Sequence, residues 1–507
     1  MDFLRSQEAV ARSTISVYIP NQAPIVHDPW MGLGLEFANL YNTSAPEEIA
    51  TAMRRTESRK PAYVEKMGTV DISMEEYEAA GADADVLRMV INKIEDLPPL
   101  PLVVHKILNL TQDETSNTSQ LAQVISNDQA LAAKVLRIAN SPLYHVSSVV
   151  TSIPHAVALL GFRTIRDLAM GISTIDTFTQ SEENPLLPRQ PFWEHSLACA
   201  LGCKALADRV RHRQPDEAFV GGLLHDIGRM VFNQAFPESF SEAIRTARRT
   251  RKPLDDMEKE EIGIPHTLVG KLLLQKWKLP PALADAVASH HNPSIKDGAD
   301  PSRVDISLII MAADALTKIA CIGSGGDPYI HAPDPRLWNL LPLKEADYVT
   351  ILSELSKSVG EIKGFFGIKD DAPPSEQAVV GREGEEPLRL AFYGGGKDDF
   401  FVPPRLMLQR FFQVSTVPAE ADIQSGFEKA KPHMVFVDLS SETRGDRISE
   451  RLKAYRKVIQ SPIAFLLSRR VSKETQQKSA RVGMYFLTTP FCPQEMIDCL
   501  NQINIAV

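Results

Sequence analysis

From about residue 90 to residue 365, apolar side chains recur every three or four positions in segment after segment, and no stretch alternates with period two. That spacing puts the apolar groups on one face of a helix with 3.6 residues per turn, so the segments are expected to be helices packed around a shared core. "NTSQLAQVISNDQALAAKVLRIANSPLY" reads as two such helices, with Asn127 or Asp128 as the cap of the second and Ser141-Pro142 as its stop. Further helices are expected over 190–210, 216–236, 239–249, 258–278, 281–291, 303–320 and 344–365. Residues 86–366 therefore make an all-α domain, in one piece or as two packed helical halves.

The pattern changes twice outside it. "GIKDDAPPSEQAVVGREGEEP", residues 367–387, is rich in Pro, Gly and charge and reads as a linker. Beyond it, "LRLAFYGG", "HMVFVDLS", "IAFLLSRR" and "MYFLTTPF" are short apolar runs bounded by turn residues, with helical stretches between them. Apolar strands alternating with helices mean βαβ units and a parallel sheet, so residues 388–507 are expected to form an α/β domain. Residues 1–85 read as an extension holding a short strand, one amphipathic helix and the lead-in to the helical domain. The chain is thus multidomain.

The 507 residues carry a net charge of -9. An acidic balance argues against nucleic-acid binding and offers little to a membrane surface. The N-terminus is charged where a secretion signal needs an apolar run, and no stretch reaches the roughly 18 apolar residues of a membrane helix. The five cysteines are odd in number and include no CxxC pair, which fits free thiols in a reducing cytoplasm; Cys199 and Cys203 read as small core residues.

One short stretch raises a chemical question. In "GGLLHDIGRM", His225 and Asp226 stand among Leu223, Leu224 and Ile227. A carboxylate in an apolar interior needs a partner. His195, His266, the pair His290-His291 and Asp314 also fall on, or at the ends of, expected helices. Imidazole with carboxylate suits first-row divalent metals, and a bundle can bring such groups together from separate helices. Two metals could activate a water for attack on phosphorus. The alternative is a satisfied polar core, with His225 and Asp226 paired to each other or to His195. His290 and His291 would point about 100° apart on a helix and could serve different metals. His105, His145 and His155 read as packing or surface residues. "RVRHRQ", 209–214, reads as a solvated turn ahead of a helix cap at Asp216, and Gly394–Gly396 as a flexible turn.

These residues resemble the HD superfamily of metal-dependent phosphohydrolases, whose pattern is a first His, an HD pair and a distant Asp; here it falls on His195, His225-Asp226 and Asp314. "LPPLPLVVHKILNL", "LAQVISNDQALAAKVLRIANSPLY", "SIPHAVALLGFRTIRDLAM", "FWEHSLACA", "LLLQKWKLP" and "HHNP" sharpen this to the HDOD domain, the HD-related output domain of bacterial signalling proteins, over roughly residues 90–365. The resemblance implies a bacterial cytoplasmic signal-transduction protein whose HDOD surface is a non-catalytic or weakly catalytic interaction module. Its implied partners are other signalling proteins, and a homodimer is compatible with it. The implied alternative is a phosphohydrolase acting on a nucleotide or cyclic dinucleotide. One or two divalent transition-metal ions (Fe, Mn or Zn) would then be held, the first by His195, His225, Asp226 and Asp314, the second by His266, His290 and His291, with Arg229 contacting phosphate. Against the cyclic di-GMP-hydrolysing HD-GYP relatives the chain departs at four places. Pro191 stands where many relatives place a Glu, Arg229 where they place Lys, Asn292 closes the "HHE" motif, and "NPSIKDGADP" replaces the GYP loop. The metal ligands are largely kept and the substrate apparatus is not.

The C-terminal domain resembles a response-regulator receiver, which implies a flavodoxin-like sheet. Asp438 matches the phosphoacceptor and Ser468 the switch hydroxyl. Thr489 stands in place of the usual Lys before Pro490, and Tyr393-Gly394 in place of the acidic pair, with Asp398 and Asp399 arriving later. Too few carboxylates remain for Mg²⁺, so the resemblance is to a degenerate receiver used for protein contacts.

Overall fold

A computed structural model describes residues 84–96, 102–112, 117–141, 144, 148–178, 184–293, 304–331, 341–366, 368, 389–393, 402–417, 431–439, 445–459, 461–467, 477, 479–488 and 490–502. The expected extension before residue 84, most of the linker, the Gly394–Gly396 turn, Asp398, Asp399 and Ser468 lie outside the described residues.

The helical region opens with α1 (Ala84–Asp96), α2 (Leu102–Gln112), α3 (Thr118–Ser126), α4 (Gln129–Ala139), α5 (Ile153–Leu160) and α6 (Phe162–Thr177). Asp128 is the cap of α4, its side chain accepting from Leu131 N at 3.0 Å, while Asn127 closes α3. Then comes α7 (Arg189–Arg209), rich in small apolar residues and buried almost without break from Phe192 to Cys203. A helix of that kind can only be central. It packs against α8 (Pro215–Leu224) and α14 (Ile306–Ile319). Between these run α9 (Ile227–Ala235), α10 (Pro237–Thr250), α11 (Leu254–Glu261), α12 (His266–Lys276) and α13 (Pro281–Ser289); α15 (Glu345–Ile362) follows.

Two expected helices are each broken in two. The 216–236 helix stops at Leu224 and restarts at Ile227, so His225 and Asp226 form a turn. Periodicity misses this because the apolar spacing continues on both sides. The close approaches on each flank are glycines. A Cβ at Gly222 would come within 2.7 Å of Cys203 Sγ and 2.8 Å of Ala200 Cα, and one at Gly228 within 2.0 Å of His266 O. The 258–278 helix breaks at Ile262–Pro265, where Gly263 takes φ +95 and Pro265 cannot continue an upstream helix. Asp216 is not a cap either. Pro215 fills the first helical position after Gln214, and Asp216 instead accepts from Thr164 Oγ1 at 2.6 Å and Lys204 Nζ at 3.1 Å.

The C-terminal region is a five-stranded sheet of β1 (Arg389–Tyr393), β2 (Gln413–Val417), β3 (Met434–Asp438), β4 (Ile463–Leu467) and β5 (Met484–Thr488), in the order β2-β1-β3-β4-β5. All four pairings are parallel. The helices α16 (Val402–Gln409), α17 (Gly445–Val458) and α18 (Pro493–Gln502) lie between or after the strands. Both faces are buried. Val435, Val437, Ile463 and Phe465 belong to one cluster, and Phe392 stacks on Phe436 with ring centroids 4.6 Å apart. Strands buried on both faces are what the unbroken apolar runs require. α16 packs on α14 and α15 of the helical region, and Arg405 Nε pairs with Glu345 Oε1 at 2.6 Å. Among the described residues, no helix is long and apolar enough to cross a membrane, and the five cysteines are free thiols.

Candidate metal centre

Four helices and one turn deliver the histidines and aspartates singled out in the sequence to one place. His195 sits in the first half of α7 and Asp314 in the facing α14. The turn between α8 and α9 presents His225 and Asp226. Its backbone places Asp226 at the head of α9 with no capping bond from its side chain, so the carboxylate is left for other groups. His266 opens α12, His290 closes α13, and His291 follows.

Asp226 stands between two donor groups. Its Oδ2 lies 3.4 Å from His225 Nε2 and 3.9 Å from His195 Nε2. Its Oδ1 lies 3.1 Å from His266 Nε2 and 3.9 Å from His290 Nε2. Ligand atoms of Asp226, His266, His290 and His291 all fall within 4.8 Å of one another, as do those of His195, His225 and Asp226. Asp314 Oδ1 faces His195 Nε2 at 3.2 Å. Asp226 is common to both groups, and Asp314, which reaches the second through His195, belongs to neither.

The hydrogen bonding is one-sided. His225 Nδ1 bonds Gly222 O at 2.7 Å, His290 Nδ1 bonds Val287 O at 2.7 Å, and His266 Nδ1 bonds Glu258 Oε2 at 2.5 Å. Each acceptor holds the proton on Nδ1 and turns the Nε2 lone pair inward. Those inward atoms have no hydrogen-bond partner. Nε2 of His195, His225, His266, His290 and His291, Oδ1 of Asp226 and Oδ1 of Asp314 are all buried and unsatisfied. Buried polar atoms are nearly always paired, so seven orphans facing one another call for an occupant. The residues present therefore fit a divalent cation.

The electrostatics point the same way. Burial opposes ionisation of Asp226, but the Arg229 guanidinium and His225 hold its carboxyl well below the usual carboxylate range. Burial likewise opposes Asp314, and Lys318 and His195 keep it ionised. Burial, with His225 and His266 beside it, pushes His290 well below its ordinary value; burial and His290 do the same to His291. At His225 burial is outweighed by the Asp226 carboxylate, and the imidazole is raised. His290 and His291 are neutral donors beside the Asp226 and Asp314 carboxylates. His225 and, against burial and Arg229, His266 are drawn toward the protonated form by Asp226 and Glu258, and a bound cation would displace those protons.

Arg229 and Glu258 complete the surroundings. Arg229, 2 % exposed, pairs with Asp226 Oδ2, donates from Nε to Glu258 Oε1 at 3.2 Å, and donates from Nη1 to Gly325 O at 3.0 Å. The guanidinium expected to meet phosphate is therefore engaged within the protein. Glu258 and Gly325 were not singled out in the sequence. Glu258 sits in "LDDMEKEE", which looks like a solvated acidic face, and Gly325 lies 96 residues from Arg229. Of Asp438 the structure describes the backbone only, at the last position of β3 opposite Leu466.

The helical region thus gathers five histidines and two aspartates around the His225–Asp226 turn. Residues 97–293 match the family model of the HDOD domain. An uncharacterized protein of Treponema pallidum (strain Nichols) is 26% identical over 208 residues, 40% of this chain and 39% of that protein, so the chain matches about two fifths of that relative's length. Among solved structures, an HDOD domain protein with unknown function from Geobacter sulfurreducens is 26% identical, covering 56% of this chain and 96% of that one, with a TM-score of 0.46. A protein of Shewanella amazonensis SB2B, provisionally named a phosphohydrolase, is 25% identical, covering 55% of this chain and 92% of that one, with a TM-score of 0.39.

Proposed function

We propose that this protein is a bacterial signal-transduction component whose HDOD domain is an interaction module built around a metal centre, with the C-terminal α/β domain as its regulatory unit. The observation that carries the metal is the convergence of seven unsatisfied donor atoms from four helices and one turn. His195, His225, Asp226 and Asp314 would hold one cation and His266, His290 and His291 a second, with Asp226 shared. Imidazole together with carboxylate suits Fe, Mn or Zn. The interaction role rests on the site's closure. His195, His225 and Asp226 are each 1 % exposed, and Arg229 is 2 % exposed with its Nε and Nη1 committed to Glu258, Asp226 and Gly325.

The sheet order β2-β1-β3-β4-β5 is that of flavodoxin-like doubly wound sheets, which place their sites at the carboxyl ends of the strands. Asp438 ends the third strand, as a phosphoacceptor would. The missing acidic pair and lysine make this a receiver-like contact domain.

The second reading, a metal-dependent phosphohydrolase, is favoured by the shared Asp226. A bridging carboxylate between two donor sets is the arrangement that a two-metal site needs, and a metal bound there would supply an activated water. Arg229 would first have to leave Gly325.

Metal content separates these readings from a purely polar core. Wild-type protein grown in metal-replete medium is expected to carry one or two equivalents of a transition metal, and Asp226→Ala to carry none. Equal, empty samples would reduce the cluster to a hydrogen-bonded core. If metal is present, an assay with cyclic di-GMP and nucleotide substrates decides between the module and the hydrolase.

A further inference from the structure

The segment after α14, "CIGSGGDPYIH" (321–331), runs between the metal centre and the C-terminal sheet. Its glycines let the backbone enter the site. Gly323 takes φ +61, and a Cβ there would come within 2.3 Å of Pro191 O and His195 N. Ser324 N donates to Pro191 O at 2.8 Å. Gly325 is buried, and a Cβ on it would reach 2.7 Å from Asp226 Oδ2, 3.1 Å from Arg229 Nη1 and 3.2 Å from His195 Cδ2. Its carbonyl accepts from Arg229 Nη1 at 3.0 Å. A backbone carbonyl thus lies on the guanidinium, beside Asp226 and His195, where an anionic ligand would meet the same cation.

The other end is tied to the sheet domain. Ile330 N donates to Phe491 O at 2.7 Å, just beyond β5. Arg251 lies over the Tyr329 ring at 5.1 Å, donates to Thr488 O at 3.2 Å, and pairs with Glu495 at the start of α18. Tyr329 in turn donates to Arg248 O at 3.1 Å. Four residues lie between Gly325, whose carbonyl is in the site, and Ile330, whose N–H is bonded to Phe491.

We propose that residues 321–331 are a strap that closes the metal centre and is held shut by the end of β5 and the start of α18. The proposal rests on the metal-centre reading and deepens it by naming the regulation of that site. Loosening the contacts at Arg251, Glu495 and Phe491 lets Ile330 and then Gly325 withdraw. Arg229 and Asp226 then face an entering anion, a phosphate-bearing one being the class that a guanidinium beside a metal recognises. Any event that reshapes the sheet domain near β5 then opens or shuts the HDOD site, with no residue of the sheet touching the metal.

The test uses the full chain and two variants remote from the centre. Arg251→Asn keeps a residue that tolerates the left-handed backbone found at Arg251 (φ 58). Glu495→Gln is the milder change, at a side chain 38% exposed. Hydrogen exchange read by mass spectrometry over 321–331 is expected to rise about tenfold or more in both. After treatment with a chelator, diethyl pyrocarbonate is expected to modify His195 and His225 faster in both variants than in wild type. Unchanged exchange overturns the tether, and raised exchange with unchanged histidine modification overturns the closure. Neither readout needs bound metal. A wild type that never holds metal would sink the metal reading while the strap is still judged on its own result.

Discussion

Glu258 is wholly buried and accepts from the His266 backbone N–H at 2.8 Å, from its Nδ1 at 2.5 Å and from Arg229 at 3.2 Å. A carboxylate behind a ligating imidazole fixes its tautomer and raises its basicity. Glu258→Gln keeps every donor atom of the centre but weakens that hold. Metal affinity, measured by competition with a chromogenic chelator, is expected to fall about 10- to 100-fold. An unchanged affinity would show that His266 does not ligate. The same change leaves Arg229 without one of its buried anions, so the variant's unfolding midpoint should drop as well.

At the scale of elements, the turn at His225–Asp226 exists because two helices approach more closely than side chains allow. Gly228 lies against the carbonyl of His266, so the head of α9 and the head of α12 touch backbone to backbone. That contact sets the separation of Asp226 from His266. Gly228→Ala must push the two helix heads apart. We expect a loss of about 3 kcal/mol or more in urea unfolding, at the upper end for overpacking because the obstacle is backbone. Metal retention should fall with it, since the 3.1 Å approach of His266 Nε2 to Asp226 Oδ1 depends on the same contact. Stability within about 0.5 kcal/mol of wild type would mean that the helices can separate freely, and the account of the turn would be wrong.

At the scale of the whole molecule, the sheet domain is joined to the helical region by α16 against α14 and α15, by Arg405–Glu345, and by the strap. As the degenerate receiver proposed for it, this domain has Tyr393-Gly394 and, before Pro490, Thr489 where a phosphorylated receiver needs acids and a lysine. Incubation with radiolabelled acetyl phosphate is therefore expected to leave the full chain unlabelled. Label that appears and vanishes in Asp438→Asn would restore a phosphoacceptor and make phosphorylation the input to the strap. On the present reading, the input is a protein contact.

The amino-acid order alone determined a good deal. Period 3.6 gave way to short apolar strands at the right place, because side-chain burial follows backbone repeat wherever one face or both must leave water. The histidines and aspartates stood out because charged and imidazole groups inside apolar helices need partners. The motif resemblance supplied a proposed division into two sets, in which it left Asp226 to the first alone. What could not be read is everything that depends on two distant segments meeting. The breaks at Leu224 and Glu261 are imposed by close packing and by Gly263 and Pro265, and the apolar spacing runs on across the first as though the helix continued. Glu258 resembles its solvated neighbours until α11 folds against α12. Asp226 becomes a shared carboxylate, and Arg229 its buried counter-ion, only once α7, α9, α12 and α13 are in place. Gly325 is one glycine in a turn-rich run until tertiary packing sets its carbonyl on a guanidinium 96 positions earlier in the chain. Local sequence fixes which faces seek burial; which of those faces meet is decided by the packing of the whole core.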